Sequence, residues 1–268
     1  MVDAALAKTP LRAAILVGSA GRGDADFFSD LDLLIYVDEL PSAETTDAIR
    51  EAVGGTNARE KEATEHARGE KFDLEGVRTE LVFFTVERIE WRLDQLRDRP
   101  EEVDGPLQKV HGGLLNGLAL DGEELVERWQ ARLRDYPEPL RRLLVERHWK
   151  FLPLWYHHEE IAARDAELWR IDALLDAAFN LLAVLAALNR IYFARFELKR
   201  TRALVASMER APPNLADRLE SLFRLEPEAA AEELGLLVVD TQRFLTAEFP
   251  DLDFDLEFPP GTRKRPWA

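Results

Sequence analysis

Asp30 and Asp32 stand two residues apart at the head of an apolar run that continues through Val37. On a strand, residues two apart point to the same face, so both carboxylates project together while Leu31, Leu33, Ile35 and Val37 face the other way. Two anions held side by side call for a cation. Hard oxygen ligands suit Mg²⁺, which takes one or two protein carboxylates and fills its remaining positions with water and substrate phosphate. Upstream, Gly18-Ser19 ends the apolar run that contains Ile15, Leu16 and Val17. A glycine there lets a phosphate approach the backbone, the next amides can point at it, and Ser19 adds a hydroxyl donor. The pattern predicts a strand, a tight loop with a short helical start, and a second strand. Burying a strand that begins with two acids is costly unless something pairs them, which weighs against an ordinary solvated hairpin.

The full spacing is G-S-x-x-x-G, five residues, then S-D-x-D, carried by Gly18, Ser19, Gly23, Ser29, Asp30 and Asp32. It resembles the signature of the DNA polymerase β-like nucleotidyltransferase superfamily. Competing glycine loops fail: Gly18, Gly21 and Gly23 do not make G-x-G-x-x-G, and G-K-[ST] is missing. The resemblance implies Mg²⁺ on Asp30 and Asp32, and ATP or another nucleoside triphosphate with its tail on Gly18, Ser19 and the turn ending at Gly23 and Ser29. It also implies a third carboxylate on the strand beside the D-x-D strand. The words T-E-L-V-F-F look like that element and place the role on Glu80, as metal ligand or general base. Glu80 is also the lone acid on a face shared with Val82, Phe84 and Val86; Asp73, Glu75 and Glu87 are the substitutes in another register. Arg22 lies in the phosphate loop, where it assists the leaving group or points outward. Asp24 and Asp26 add negative charge near the expected phosphates and must point away.

The elements that position these residues read as follows. A short helix over 3–9 leads into a strand over 12–17. After the second strand, Ser42 caps a helix that stops at Gly54-Gly55. Residues 57–70, charged and poor in large apolar side chains, read as a solvated loop or exposed helix. Strands over 71–75 and 78–86 follow, joined at Gly76, then a helix over 87–99. The acids, Asp-Gly and prolines of 100–106 read as a linker. Beyond it the periodicity is helical: 123–136, 138–164 with a kink near Pro153, 166–196, 202–210, 215–225 and 227–249. The expected fold class is α+β, a mixed-sheet nucleotidyltransferase domain over 1–99 followed by an all-α helical bundle over 106–268. In the tail, Asp253 and Asp255 form a second D-x-D with no glycine-serine loop before it, in a predicted extended segment over 251–258. The basic 263–265 reads as a frayed end.

The net charge of −16 argues against nucleic acid or an anionic membrane as the main partner and favours a cationic small molecule. The absence of cysteine removes disulfides, thiolate metal sites and a cysteine nucleophile. The first residues lack the pattern of a signal peptide, and the apolar stretches read as too short or too charged to span a bilayer, so a cytoplasmic protein is expected.

In the helix from Ala166, Asp165, Trp169, Asp172, Asp176 and Asn180 fall in one stripe, facing water or a cleft. The two-domain layout resembles aminoglycoside nucleotidyltransferases, in which acids of both domains hold the drug, and this implies a substrate-facing role for Trp169, Asp172, Asp176 and Asn180. Asp172, Asp176 and Glu159 are further candidate bases, and Lys199 either serves a helix terminus or reaches the triphosphate. The cluster from Trp149 to Glu160 reads as core aromatics with surface His and Glu. The function expected is transfer of AMP from ATP to a hydroxyl of a small, cationic acceptor such as an aminoglycoside or lincosamide. The alternatives are AMP transfer to a protein, as in nucleotidyltransferase antitoxins, and a nucleotide-binding module without turnover.

Overall fold

The computed structural model describes residues 1–254, without the side chains of 60–62 and 196. The expected tail beyond Phe254, including Asp255 and the basic 263–265, lies outside the described residues. The chain forms two compact units, Met1–Leu140 and a second from Arg141 onward.

The first unit is built on β1 (Leu11–Val17), β2 (Leu31–Val37), β3 (Thr56–Ala63), β4 (Ala67–Leu74), β5 (Val77–Thr85) and β6 (Leu118–Asp121). They lie in the order β3-β4-β5-β2-β1-β6. β2 and β5 are parallel, and the other pairings are antiparallel. The sheet is therefore mixed, as expected, and the fold is α+β.

Two-residue alternation sends the inner strands' side chains to two different layers. On one face Ala14, Leu33, Ile35, Val37, Phe72, Leu81 and Phe83 form a buried core with Ala5 and Ile49. The last two come from α1 (Val2–Leu6) and α3 (Ala43–Ala52). α3 starts at Ser42, whose hydroxyl accepts from the Thr45 amide at 3.2 Å, the cap expected from the sequence. On the other face, helices α4 (Val86–Asp98), α5 (Gly105–Leu115) and α6 (Glu123–Arg134) supply the cover. Trp129 of α6 is fully buried against Tyr36, ring centroids 4.8 Å apart, and its indole N–H donates to Glu90 of α4 at 2.6 Å.

Three expectations are corrected here. Residues 57–70 are neither loop nor helix but most of the β3-β4 hairpin; a strand at a sheet edge needs no buried face and commonly carries charge, which hides it from periodicity. The 100–106 stretch does not end the sheet domain. It forms a 3₁₀ turn at Pro100–Glu102 and then starts α5, capped by Asp104, whose carboxylate accepts from the Leu107 amide at 2.8 Å. β6 then returns to pair with β1, a strand of only four residues and too short to show alternation. The first unit thus extends past the expected boundary, to Leu140.

The second unit is helical. α7 (Glu138–His148) leads into it, and α8 (Leu154–Tyr156) runs into a π-helical stretch at His157–Ala162. α9 (Glu167–Leu188) is its centre, with Leu181 to Leu188 all buried, and α12 (Pro227–Glu248) packs along it. α10 (Thr201–Ala206) and α11 (Leu215–Ser221) are shorter than their periodicity suggested. The buried Arg141 donates to the Leu188 carbonyl at 3.3 Å and pairs with Glu248 of α12. Hydrogen bonding from Arg141, and then from Arg210, holds the Glu248 carboxyl below its ordinary range. The predicted 138–164 helix breaks at 149–153, where Pro153 lacks the N–H that a continuing helix needs. The predicted 166–196 helix stops at Leu188, capped by Asn189, whose amide donates to the Leu185 and Arg210 carbonyls at 2.7 and 2.9 Å. By length and composition α9 could cross a membrane, contrary to the sequence reading, and 61% of its apolar window is buried inside the protein.

Candidate active site

The site is set by register. Asp32 of β2 pairs with Glu80 of β5, and residues paired across neighbouring strands share a face at about 5 Å spacing. Glu80 in turn pairs with Lys71 of β4, and Lys71 with Arg59 of β3. A charged row of two acids and two bases therefore crosses the sheet on the face that carries Tyr36 and Phe84. Both acids are half-buried.

Beside Asp32 the chain makes its tight turn. Gly18 has φ +68°, and a Cβ there would lie 2.4 Å from Asp32 Oδ2. Only glycine accepts both the left-handed backbone and that approach. Gly18 opens α2 (Gly18–Arg22), the short helix expected after β1. A Cβ at Gly21 would sit 2.1 Å from the Leu16 carbonyl oxygen, so α2 lies directly on its own strand. Ser19 is half-buried in the first turn, and its carbonyl accepts from the Asp24 amide at 3.0 Å. Gly23, at φ +78°, ends the helix in the left-handed conformation, which closes helix termini when no Cβ interferes.

The loop back to β2 is held by its own acids. Arg22 pairs with Asp24 at 3.5 Å. Asp26 accepts from the Phe28 amide at 2.9 Å and from the Ser29 hydroxyl at 3.0 Å, while that hydroxyl accepts from the Asp26 amide at 2.9 Å. Asp24 is thus turned onto Arg22 and Asp26 back onto its loop, and Ser29 and Arg22 shape the loop by these contacts. Asp30 is exposed and precedes β2, which begins at Leu31. It therefore does not share the strand face with Asp32 through strand geometry; its approach is set by the loop. Phe27 and Phe28 at the loop tip are 94% and 80% exposed. The sequence reading passed over them, although two adjacent phenylalanines inside an acidic loop are a visible signal.

The donor chemistry fits a divalent cation: the carboxylates of Asp30, Asp32 and Glu80 are hard oxygen ligands, and the missing Gly18 Cβ leaves room against Asp32 Oδ2. Among the described residues no three His, Asp or Glu side chains converge as a ready-made metal cluster.

Deeper on the same face the surroundings change. The Tyr36 hydroxyl is buried without a hydrogen-bond partner among the described residues, and burial pushes its pKa up. His111 of α5 is fully buried, and burial, with the nearby charge of Arg92, pushes its pKa down to about 3. Burial likewise lowers Arg92, whose guanidinium lies 5.4 Å from the centre of the Phe84 ring.

The second unit's candidates separate. Trp169 and Asp172 are exposed on the first turns of α9, and Asp176 pairs with Arg195 at 3.3 Å. Asn180 is buried, its side chain bonded to His148 Nδ1 at 3.0 Å and to the Lys150 carbonyl at 3.2 Å. It braces the bundle and is consumed there, so the expected stripe ends before it. Lys199 lies in the last turn of the 3₁₀ helix at Arg195–Arg200. His157 is buried rather than on the surface; Glu159 is exposed, and Glu160 pairs with Arg164 at 2.9 Å.

The first unit is thus a mixed sheet that sets Asp32 and Glu80 side by side on parallel strands, next to a glycine-serine turn that opens a short helix. Residues 3–102 match the family model described as a nucleotidyltransferase domain, and that stretch is a nucleotidyltransferase domain of the DNA polymerase β-like superfamily. The match ends before α5 and β6. A domain of this kind supports generic nucleotidyl transfer and implies a nucleoside triphosphate as substrate. Among solved structures, the chain is similar to a nucleotidyltransferase-like protein from Exiguobacterium sibiricum 255-15, with 15% identity over 94% of this chain and 78% of that chain and a TM-score of 0.40. No curated protein matches the sequence.

Proposed function

We propose that the chain moves AMP from ATP onto a hydroxyl of a small, cationic acceptor of the aminoglycoside or lincosamide kind, with Mg²⁺ as the metal. The observation that supports this most is the Asp32–Glu80 register with the Gly18 turn against Asp32 Oδ2. In this reading the turn amides and the Ser19 hydroxyl hold the β- and γ-phosphates, where neutral donors stabilise charge without needing a counterion. Asp32 and Asp30 would hold Mg²⁺, and Glu80 would complete the set or take the proton from the acceptor hydroxyl. When bound, the metal neutralises charge that builds on the phosphates and helps align attacking and leaving oxygens. Lys71, next to Glu80, offsets part of the repulsion between the two acids before substrate arrives. The acceptor oxygen forms a bond to the α-phosphorus, the bond to the bridging oxygen breaks, and pyrophosphate leaves. The acceptor is inferred to be cationic because the protein carries a net charge of −16 and complementary charge speeds encounter.

The test is pyrophosphate release with ATP, Mg²⁺ and a panel of amino-sugar and lincosamide compounds. Release that requires both ATP and one acceptor class, and that Asp30→Ala with Asp32→Ala abolishes without unfolding the protein, supports the reading. Labelling of a polypeptide instead, or turnover that survives both substitutions, overturns it.

A further inference from the structure

α4 carries two arginines one turn apart, Arg88 and Arg92, both half-buried and neither with a carboxylate partner among the described residues. The acids nearest on the helix do not neutralise them. Glu90 accepts from the Trp129 indole and pairs with Arg132 of α6, which also pairs with Asp94 at 2.6 Å. Glu87 is exposed and makes no ion pair with either arginine. Like charges at this spacing destabilise a helix. Arg88 also stands in the first turn, its amide donating to the Thr85 cap at 3.3 Å, where the helix dipole disfavours a cation. Burial and the charge of Arg88 lower the pKa of Arg92. The chain has 51 acidic residues against 35 Lys and Arg, so carboxylates are in excess, and this pair is nevertheless left without one. What the fold supplies instead is rings. The Arg88 guanidinium lies 4.2 Å from the centre of the Trp91 ring, and that of Arg92 lies 5.4 Å from the centre of Phe84, which itself stacks on Tyr36. A guanidinium resting on a ring is held by its face and keeps its N–H edge for an acceptor.

We propose that Arg88 and Arg92 form a second anion site, separate from the catalytic acids, that takes a diphosphate group with one phosphoryl on the N–H edge of each guanidinium. The site goes beyond the transfer reading and does not depend on it. Phe84, under Arg92, lies four residues beyond Glu80 on the same face of β5, about 13 Å at the rise of a strand. A phosphoryl group gripped there does not also touch Asp32 or Glu80. The class of ligand follows from two full charges and two planar donor edges. A lone carboxylate satisfies one edge and leaves the other unmet, whereas a diphosphate offers several oxygens and more than one negative charge to bidentate guanidinium contacts. A nucleic acid, which also carries phosphate, meets repulsion from a protein of net charge −16 and lacks the broad basic surface that such a polymer needs. A small diphosphate meets the two local cations without that cost.

The experiment is calorimetric titration of the full chain, in EDTA, with pyrophosphate and separately with ADP. It compares the native protein with Arg88→Gln plus Arg92→Gln and with Arg92→Lys, which keeps the charge and loses the planar edge. The catalytic turn is intact in all three, so a change in affinity reads the two arginines alone. Expected is binding by the native protein, a Kd raised at least about 10-fold in the glutamine variant, as loss of charge-assisted hydrogen bonds implies, and an intermediate loss in the lysine variant. Loss in the pyrophosphate arm assigns the site to the free anion, and loss in the ADP arm alone to the diphosphate of a nucleotide; both support the proposal. Without ligand, the glutamine variant should unfold at the same or a higher temperature, since a like-charge pair has gone. The proposal is overturned if neither probe binds, or if affinity is unchanged in the glutamine or the lysine variant. A glutamine variant that unfolds earlier and binds as the native protein does also overturns it, by making the arginines structural.

Discussion

The two ends of a single sheet face are built differently from the same pair of strands. At one end Tyr36 and Phe84, stacked with centroids 6.1 Å apart, lie under Trp129 in a dry, aromatic layer. Four residues back along each strand, Asp32 and Glu80 stand in register, half-buried, with the Gly18 turn beside Asp32. Alternation by two carries Asp32, Leu34 and Tyr36 to one face, and Glu80, Val82 and Phe84 to the same one. A strand cannot bury one end of such a series and leave the other reactive unless the covering layer stops partway. That is the role of α4 and α6, which meet through Trp129, Glu90 and Arg132. The covered end supplies rigidity, and the acidic end uses it to hold two like charges at paired register positions.

Breaking the covered end has the largest expected effect. Trp129→Ala removes a fully buried indole and its bond to Glu90, and should cost about 3–5 kcal/mol, read by chemical denaturation. A smaller cost than a surface substitution would show that the layer is not what sets the strands.

Acid should act on the same layer. His111 stays neutral in the fold because its pKa is depressed to about 3, while the unfolded chain takes up a proton near the ordinary value of 6.5. The stabilising difference is complete above pH 6.5 and is lost progressively as the pH falls from there toward 3. Between pH 6.5 and 5 this amounts to about 2 kcal/mol for one histidine. The slope of stability against pH should flatten in that window in His111→Leu, and an unchanged slope would remove His111 from the explanation.

At the acidic end, Gly18→Ala forces a Cβ against the Asp32 carboxylate and a side chain into the left-handed region, worth about 1–2 kcal/mol in backbone strain alone. Turnover should fall further than stability does, because Asp32 must shift. Equal losses would mean that the contact serves only the fold. The smallest effect separates the two ends most cleanly: Tyr36→Phe deletes a buried hydroxyl without a hydrogen-bond partner among the described residues and should leave stability equal or raise it by up to about 1 kcal/mol, with turnover untouched.

The sequence made legible what depends on local rules. Gly18, Ser19 and Gly23 needed backbone freedom and a helix start at fixed spacing, and the turn is there. Glu80 was picked out by the resemblance of T-E-L-V-F-F to the family's strand and by being a lone acid on an apolar face; the register with Asp32 follows from β2 and β5 running side by side. β3 and the first half of β4 were missed, although the strand over 71–75 was read, because an edge hairpin of Arg, Glu and Lys has no apolar period there. β6 was missed because four residues cannot show one, and its pairing with β1 is decided by contacts about a hundred residues away in sequence. Asn180 looked like a surface residue of the α9 stripe because periodicity places a residue on a face without saying what lies against it; His148 and the Lys150 carbonyl lie there.

The most direct test of the acidic end is paramagnetic: Mn²⁺, standing in for Mg²⁺, titrated with ATP into the native protein and into Asp32→Asn with Glu80→Gln, with free Mn²⁺ followed by electron spin resonance. The two strands should hold Mn²⁺ in the native protein only when ATP is present, and the double variant should lose that binding while unfolding at the same or a higher temperature, since a like-charge pair has gone. Nucleotide-dependent Mn²⁺ uptake equal in both proteins would contradict the account and place the metal, and with it the chemistry, elsewhere.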